Sequence, residues 1–128
     1  MRKSIILIGR ENSKIAEEVA RDFGFDLFFI DINTDLESFT ESLGEYEKLI
    51  VIATLGSWEG ELLIEFVTKC KSKLILFCFL RSRTIQEIMI SRNQADEILN
   101  LFPDFQGAMI SNEMPPDVKI EALKLLMD

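Results

Sequence analysis

The sequence predicts a three-layer α/β domain, in which a doubly wound, mostly parallel sheet of five strands is covered by helices on both faces. The chain has 128 residues, the length of one domain, and 48% of them are hydrophobic, which is enough to form a core. Its short apolar runs are continuous rather than alternating, as in parallel strands that are buried on both faces. We therefore expect a single domain over residues 1–128.

Five strand–helix pairs follow one another along the chain. Each short apolar run precedes a longer amphipathic segment, and right-handed crossovers between such units build a parallel sheet. The predicted strands span residues 3–9, 26–32, 48–55, 73–80 and 107–111. The predicted helices span residues 13–24, 35–43, 57–71, 84–102 and 117–127, with a possible break at 91–93. Ser13 and Ser57 are the expected N-caps of the first and third helices.

The composition excludes several classes of function. The net charge of −8 argues against a nucleic-acid partner, because phosphate neutralisation needs basic residues. The chain contains no histidine, which excludes Ser-His-Asp triads, Cys–His pairs and His-ligated zinc. The apolar runs are too short for a signal peptide or a membrane span, and Cys70 and Cys78 are expected to be buried free thiols. We expect a cytoplasmic protein with no membrane partner.

The turn after the first strand, residues 9–13, is the first candidate site, because doubly wound sheets bind ligands at the carboxyl ends of their strands. A phosphate-binding turn uses several glycines so that the backbone can approach the anion. Here Gly9 is the one glycine, and Glu11 places a negative charge in the same space. Two interpretations stay open: an ordinary capped turn, or a phosphate site in which Arg10 and Lys14 offset Glu11.

The turn after the third strand begins at Gly56 and carries two acids into the first turn of the next helix. Glu59 and Glu61 complement the helix dipole, which stabilises the helix by roughly 0.3–1 kcal/mol per acid. They also place negative charge where a phosphate would bind. Trp58 either covers the strand ends or packs into the core.

The segment after the second strand has two interpretations. Asp31 lies where dinucleotide-binding folds place an acid that contacts ribose hydroxyl groups. Helix capping by Asn33, Thr34 or Asp35 explains the same residues.

The fourth strand leads into two arginines, Arg81 and Arg83. Two guanidinium groups at a strand end can clamp an anion. They can equally be surface partners of Glu59, Glu61 or Glu87.

Taken in order, these segments resemble the FtsZ branch of the tubulin-like GTPases over about residues 3–114. The matching segments are 29–35, which contains the Asn33-Thr34-Asp35 sequence, 49–56, 74–83 and 107–113. In that family the first of these follows the first helix, and the second enters the tubulin signature loop. The resemblance implies a Rossmann-like nucleotide-binding half, in which Asn112 stands where the family's Asn helps to hold the guanine.

The departures from the family bear on function. The first turn lacks the family's run of glycines, and residues 56–61 replace its GGGTGTG-type signature loop. The segment between the second and third strands is shorter, and residue 128 lies where the family's long central helix and second domain would begin. The resemblance therefore implies a reduced relative that neither hydrolyses GTP nor polymerises as the family does.

We expect a non-catalytic tubulin/FtsZ-like domain that has lost GTP binding and acts through protein contacts, either with a partner or by self-association. Apolar side chains of the later part of the chain are the candidate contacts, although core burial explains each of them equally well. These candidates are Trp58, Phe102, Phe105, Val118, Ile120, Leu123 and Leu126.

The alternative is a small-molecule or nucleotide-binding domain that uses the strand-end crevice for an altered ligand. Its predicted cofactor-binding residues are Gly9, Arg10, Asn33, Gly56, Ser57, Arg81 and Asn112. We expect no cofactor and no metal, with GTP or GDP as the alternative. A third hypothesis is an enzyme of unknown reaction, but the only candidate acid–base pair is Asp31 with Glu59.

Overall fold

The structure is a computed structural model that describes residues 3–45, 48–70 and 74–127. Strands and helices alternate along these residues. The strands are β1 (Lys3–Ile8), β2 (Asp26–Ile30), β3 (Lys48–Leu55), β4 (Leu74–Leu80) and β5 (Gly107–Ser111). The helices are α1 (Ser13–Phe23), α2 (Leu36–Ser42), α3 (Trp58–Lys69), α4 (Ile85–Leu101) and α5 (Pro116–Met127), and a 3-10 turn, Leu43–Glu45, follows α2.

The five strands form one sheet in the order β2-β1-β3-β4-β5, and all four pairings are parallel. This confirms the predicted three-layer α/β fold, which is Rossmann-like. The strand order is the flavodoxin-like variant of that fold, whose topological switch point lies between β1 and β3. The crevice at the carboxyl ends of β1 and β3 is therefore the place where ligands bind in this fold.

The sheet divides two apolar cores, because successive side chains of a strand point to opposite faces. Ile6 and Ile8 of β1 belong to the core beneath α2, α3 and α4. Ile5 and Leu7 belong to the core beneath α1 and α5. Both faces of the central strands are thus covered, which explains their continuous apolar sequences.

The predicted cap at Ser57 is confirmed, and of the three capping candidates after β2 the structure uses Asp35. The Asp35 side chain accepts a hydrogen bond from the Ser38 amide at 3.4 Å and caps α2. The Ser57 hydroxyl accepts one from the Glu59 amide at 3.4 Å and caps α3. The Ser13 prediction was wrong: Asn12 is the N-cap residue of α1 and forms no side-chain cap hydrogen bond.

Several predicted boundaries need correction. Strand β1 ends at Ile8 and β2 at Ile30 rather than at 9 and 32. After β2 the chain turns, and Asp31 Oδ1 accepts a hydrogen bond from the Asn33 amide at 2.8 Å. Helix α4 has no break at 91–93, because the side chain of Ser91 bonds to neighbouring loops rather than to its own helix. The predicted end of the third helix at 71 and the predicted start of the fourth strand at 73 lie outside the described residues.

The predicted apolar contacts divide into exposed and buried groups. Trp58 and Val118 are exposed, whereas Leu123 is fully buried. The other four candidates are partly buried and pack against the two cores: Phe102, Phe105, Ile120 and Leu126.

The two cysteines are free thiols, as expected, but only Cys78 is buried, and Cys70 is partly accessible at the end of α3. Among residues 3–45, 48–70 and 74–127, we find no helix with the length and apolar character needed to cross a bilayer.

Truncation of Leu63 tests the core beneath α3. Leu63 is fully buried, so Leu63→Ala removes buried methyl groups and leaves a cavity. We expect the free energy of unfolding, measured by urea denaturation, to fall by about 2–5 kcal/mol. Leu125 is exposed on α5, and Leu125→Ala is expected to change it by less than about 0.5 kcal/mol. Equal losses in the two variants would contradict this placement of the core.

Candidate functional site

A group of polar side chains lies where the carboxyl ends of β1, β3, β4 and β5 meet. These side chains come from β3, from the turns after β1, β4 and β5, and from the helices α3 and α5, and they form hydrogen bonds or ion pairs with one another. We call this group the strand-end cluster, and its members are Glu11, Asn12, Thr54, Glu59, Arg81, Asn112 and Lys119.

Asn12 is the centre of one half of the cluster. Its backbone is left-handed, with φ 65°, a conformation that Asn tolerates better than most residues. Its Nδ2 donates to Thr54 Oγ1 at 3.0 Å and to Asn112 Oδ1 at 3.1 Å. Lys119 Nζ donates to Asn12 Oδ1 at 2.8 Å and to Asn112 Oδ1 at 2.9 Å. These bonds connect β1, β3, β5 and α5.

Arg81 is the centre of the other half, where one guanidinium group serves two carboxylates. It forms an ion pair with Glu11, and its terminal nitrogen lies 3.6 Å from Glu59 Oε1. Asn112 Nδ2 donates to Glu11 Oε1 at 2.9 Å, which links the two halves. Only 6% of the Glu59 side chain is exposed, so this charged group lies almost entirely inside the protein.

The Glu59 carboxyl group lies against Gly9. Gly9 has φ +83°, and a Cβ atom added there would lie 2.4 Å from Glu59 Cδ and Oε2. Glycine is therefore needed at this position for two reasons: the left-handed backbone and the close approach of a carboxyl group. The Gly9 amide donates to the Ile30 carbonyl at 2.9 Å.

Gly56 is enclosed in a similar way by α4. It has φ +107°, and a Cβ atom there would lie 2.6 Å from Ser91 Oγ. The Gly56 amide donates to Gln94 Oε1 at 2.9 Å, and Gln94 Nε2 donates to the Ser57 carbonyl at 3.0 Å. The glycine turn after β3 is thus held by side chains of α4.

Burial shifts the pKa of two members of the cluster. The pKa of Glu59 is raised to about 7, chiefly by burial and also by the nearby charge of Glu11, against the opposing effect of Arg81. Burial also lowers the pKa of Lys119, although Glu11 opposes that shift. The Lys119 ammonium group lies 4.8 Å from the centre of the Phe79 ring, a favourable cation–π contact.

The two arginines after β4 both have carboxylate partners. Arg81 pairs with Glu11 and Glu59, whereas Arg83 Nε lies 3.4 Å from Glu113 Oε1. Of the acids suggested as partners from the sequence, Glu59 pairs with the Arg81 guanidinium group. Glu87 Oε1 instead accepts from the Arg83 backbone amide at 3.0 Å, and Glu61 Oε1 accepts from Gln94 Nε2 at 3.1 Å.

The structure brings five of the seven predicted binding residues to the crevice, and their role in binding stays a prediction. These five are Gly9, Gly56, Ser57, Arg81 and Asn112. Arg10 is exposed instead, with its guanidinium carbon 5.4 Å from the centre of the Phe29 ring on β2. Asn33 is exposed in the turn after β2, and so is Asp31, whose predicted pairing with Glu59 is not formed.

Sequence analysis missed several polar residues that complete the site. Lys119 stands four residues before Leu123 and eight before Met127, so it shares their buried helix face. Ser91 and Gln94 lie in the same way on the buried face of α4. A polar residue at the spacing of a buried apolar stripe was the signal that could have identified them.

Within the described ranges, no three His, Cys, Asp or Glu side chains are grouped so that they could hold a metal ion.

Comparisons with known proteins show the fold alone. No protein-family model matches the chain, and a search of curated proteins found no significant match. A de novo designed Rossmann 2x3 protein is similar, with a TM-score of 0.59, 10% identity, and coverage of 97% of this chain and 88% of that one. A putative flavoprotein from Bacteroides uniformis has a TM-score of 0.56, 12% identity, and coverage of 96% and 97%.

A third similar structure is the RPS4 and RRS1 TIR domain heterodimer. It has a TM-score of 0.57 and 11% identity, and the match covers 99% of this chain and 95% of that one. All three identities are too low to transfer a function. The resemblance to the FtsZ branch stays a prediction.

The raised pKa of Glu59 predicts a dependence of stability on pH. The folded state binds this proton with a pKa of about 7, against an ordinary value of 4.5, so the stabilisation is lost as the pH rises through 7. We expect the free energy of unfolding to fall by about 2–3 kcal/mol between pH 5 and pH 8 because of this group. Glu59→Gln should remove that fall in urea denaturation at a series of pH values.

Glu17→Gln is the matched control for this measurement. Glu17 is exposed on α1, so the variant should keep the pH dependence of the unchanged protein. The lowered pKa values of Asp35 and Glu113 affect stability only at lower pH. Contributions of other titrating groups are the same in each variant and cancel in the comparison. If the free energy of unfolding had the same pH dependence in the unchanged chain, Glu59→Gln and Glu17→Gln, the assignment to Glu59 would be contradicted.

Proposed function

We propose that this chain is a non-catalytic domain that acts through protein contacts and has lost GTP binding, as its resemblance to the FtsZ branch also implies. The observation that carries the proposal is the position of the Glu59 carboxyl group against Gly9. This contact lies at the switch point between β1 and β3, where flavodoxin-like domains bind their ligands. A protein side chain therefore takes the position that an anionic ligand would need.

The backbone donors at this edge support the proposal. A phosphate at a strand-end turn is held by free backbone N–H groups. The Gly9 amide is already bonded to the Ile30 carbonyl, and the Gly56 amide to Gln94 Oε1. The two glycine turns therefore offer no amide from either glycine to an anion.

The charges at the crevice support it as well. A bound phosphate would lie near Glu11 and Glu59, and the guanidinium group of Arg81 is already shared between them. Two like charges at about 4 Å repel by about 4 kcal/mol at an effective dielectric constant of about 20. Nucleotide binding at this edge would have to overcome such repulsion.

The outer surface favours protein contacts. Trp58 is about half exposed at the start of α3. Ile85 and Met89, one helical turn apart at the start of α4, are exposed and adjacent. Contiguous exposed apolar surface marks sites of protein interaction in soluble domains.

A second candidate function is binding of a small polar ligand in the crevice. Glu59 Oε2 and Arg81 Nε are buried and have no hydrogen-bond partner among the described residues. Buried polar atoms are ordinarily paired. A ligand that offers both a donor and an acceptor would satisfy them.

Thermal denaturation with GTP, GDP and ATP at about 1 mM tests the proposed loss of nucleotide binding. We expect no stabilisation by any of the three, because the crevice is occupied by the protein's own side chains. A nucleotide with a dissociation constant of about 10 μM would stabilise the protein by about 2.7 kcal/mol under these conditions. Stabilisation by GTP would overturn the proposal.

The double variant E11G/E59G tests the electrostatic explanation. It removes both carboxylates and frees Arg81 for an anion, so we expect it to bind nucleotides more tightly than the unchanged chain. The control is E37G/D117G, which removes two acids from the first turns of α2 and α5 and should bind none. If E11G/E59G also binds none, steric closure rather than charge excludes the nucleotide.

A further inference from the structure

Two surfaces on opposite layers of the fold combine exposed apolar side chains with charges of opposite sign. The first, the α4 patch, comprises Ile85, Ile88, Met89 and Arg92. The three apolar side chains are 77%, 46% and 59% exposed, and their spacing places them with Arg92 on one side of the helix. Arg92 is exposed, and no ion pair of its guanidinium group occurs within the part of the chain that the structure describes.

The second surface is a groove between α1 and α5 with a cavity volume of about 380 Å³. Val118 and Ile120 supply its apolar lining, and Glu18, Asp117 and Glu121 surround them with carboxylates. None of these three acids forms an ion pair with another described residue. The groove therefore combines apolar surface with uncompensated negative charge.

We propose that copies of this chain associate head to tail, with the α4 patch of one copy in the α1–α5 groove of the next. The apolar side chains of the patch meet the apolar lining of the groove, and Arg92 meets its carboxylates. This proposal rests on the proposed function, because it specifies which protein contact the domain makes.

The charges disfavour a two-fold dimer formed through the groove, because two facing grooves would oppose six carboxylates. Like charges across an interface disfavour the pairing. Contact between the α4 patch and the groove avoids this conflict.

The fold places the two surfaces so that the contact can repeat. Helix α4 covers one face of the sheet, and α1 with α5 covers the other. A chain engaged through one surface therefore keeps the second one accessible on its opposite layer. Heterologous contacts of this kind produce rings or open filaments rather than closed dimers.

Two variants that each lose one surface provide the test. The patch variant is I85E/M89E, and the groove variant is E18K/E121K. Sedimentation velocity from about 10 μM to about 500 μM covers the range in which weak protein contacts are detected. We expect the mean mass of the unchanged chain to rise with concentration.

Each variant alone should remain monomeric, whereas an equimolar mixture should form a species of two chains and stop there. The patch variant keeps its groove and the groove variant keeps its patch, so the mixture retains one working contact. The controls are I32E and E37K/E41K, which make matched changes at exposed positions elsewhere and should associate like the unchanged chain. Circular dichroism establishes that each variant is folded.

Three results would overturn the proposal: an unchanged chain that is monomeric at about 500 μM, either surface variant associating alone like the controls, or a mixture that stays monomeric. If the unchanged chain stays monomeric and no nucleotide stabilises it, the head-to-tail contact is contradicted and the proposed function still holds. Stabilisation by GTP removes the proposed function instead.

Discussion

The ion pairs of Arg81 with Glu11 and Glu59 constrain the whole carboxyl edge of the sheet. The three residues reach this point from the turn after β1, from α3 and from the end of β4. Burying a charge is costly unless it is paired, and removing one partner leaves the others uncompensated. The first turn of α3 is therefore fixed over Gly9, and the three residues act as one structural unit.

The amides of Asn12 and Asn112 extend this constraint to the last strand and helix. Asn112 bonds to Glu11 on one side and receives a bond from Lys119 on the other. The polar atoms of this edge are thus directed mainly at one another. Of the buried side-chain atoms described at this edge, Glu59 Oε2 and Arg81 Nε are the two without a hydrogen-bond partner. The outer helical surfaces therefore offer more groups for a contact than the crevice does.

The sequence predicted the fold class because continuous apolar runs have few alternatives to a buried parallel sheet. It predicted the caps at Asp35 and Ser57 because those depend on local hydrogen bonds. It did not predict the strand order, since right-handed crossovers do not decide on which side of β1 the third strand lies. The contact of Glu59 with Gly9 depends on that order, because β1 and β3 become neighbours only in the folded sheet.

Lys119 was not predicted for a different reason. Lysine is ordinarily exposed, and its spacing with Leu123 and Met127 indicates a buried position but not its bonds to Asn12 and Asn112, which form only when α5 packs on the sheet. The same is true of Gln94 on α4. The acids at 11 and 59 were recognised from the sequence, but Arg81 as their common partner required the packing of β4 beside β3.

The position of β5 at the border of the sheet has a consequence for local motion. It pairs with β4 alone, and all five of its residues are only partly buried. Asn112 follows it directly, held by a 2.8 Å bond from its amide to the Leu80 carbonyl. Local opening of β5 therefore removes the Asn112 side chain from Glu11 and Asn12 while the inner strands stay paired. Hydrogen exchange of the β5 backbone amides is thus coupled to the breaking of hydrogen bonds in the strand-end cluster.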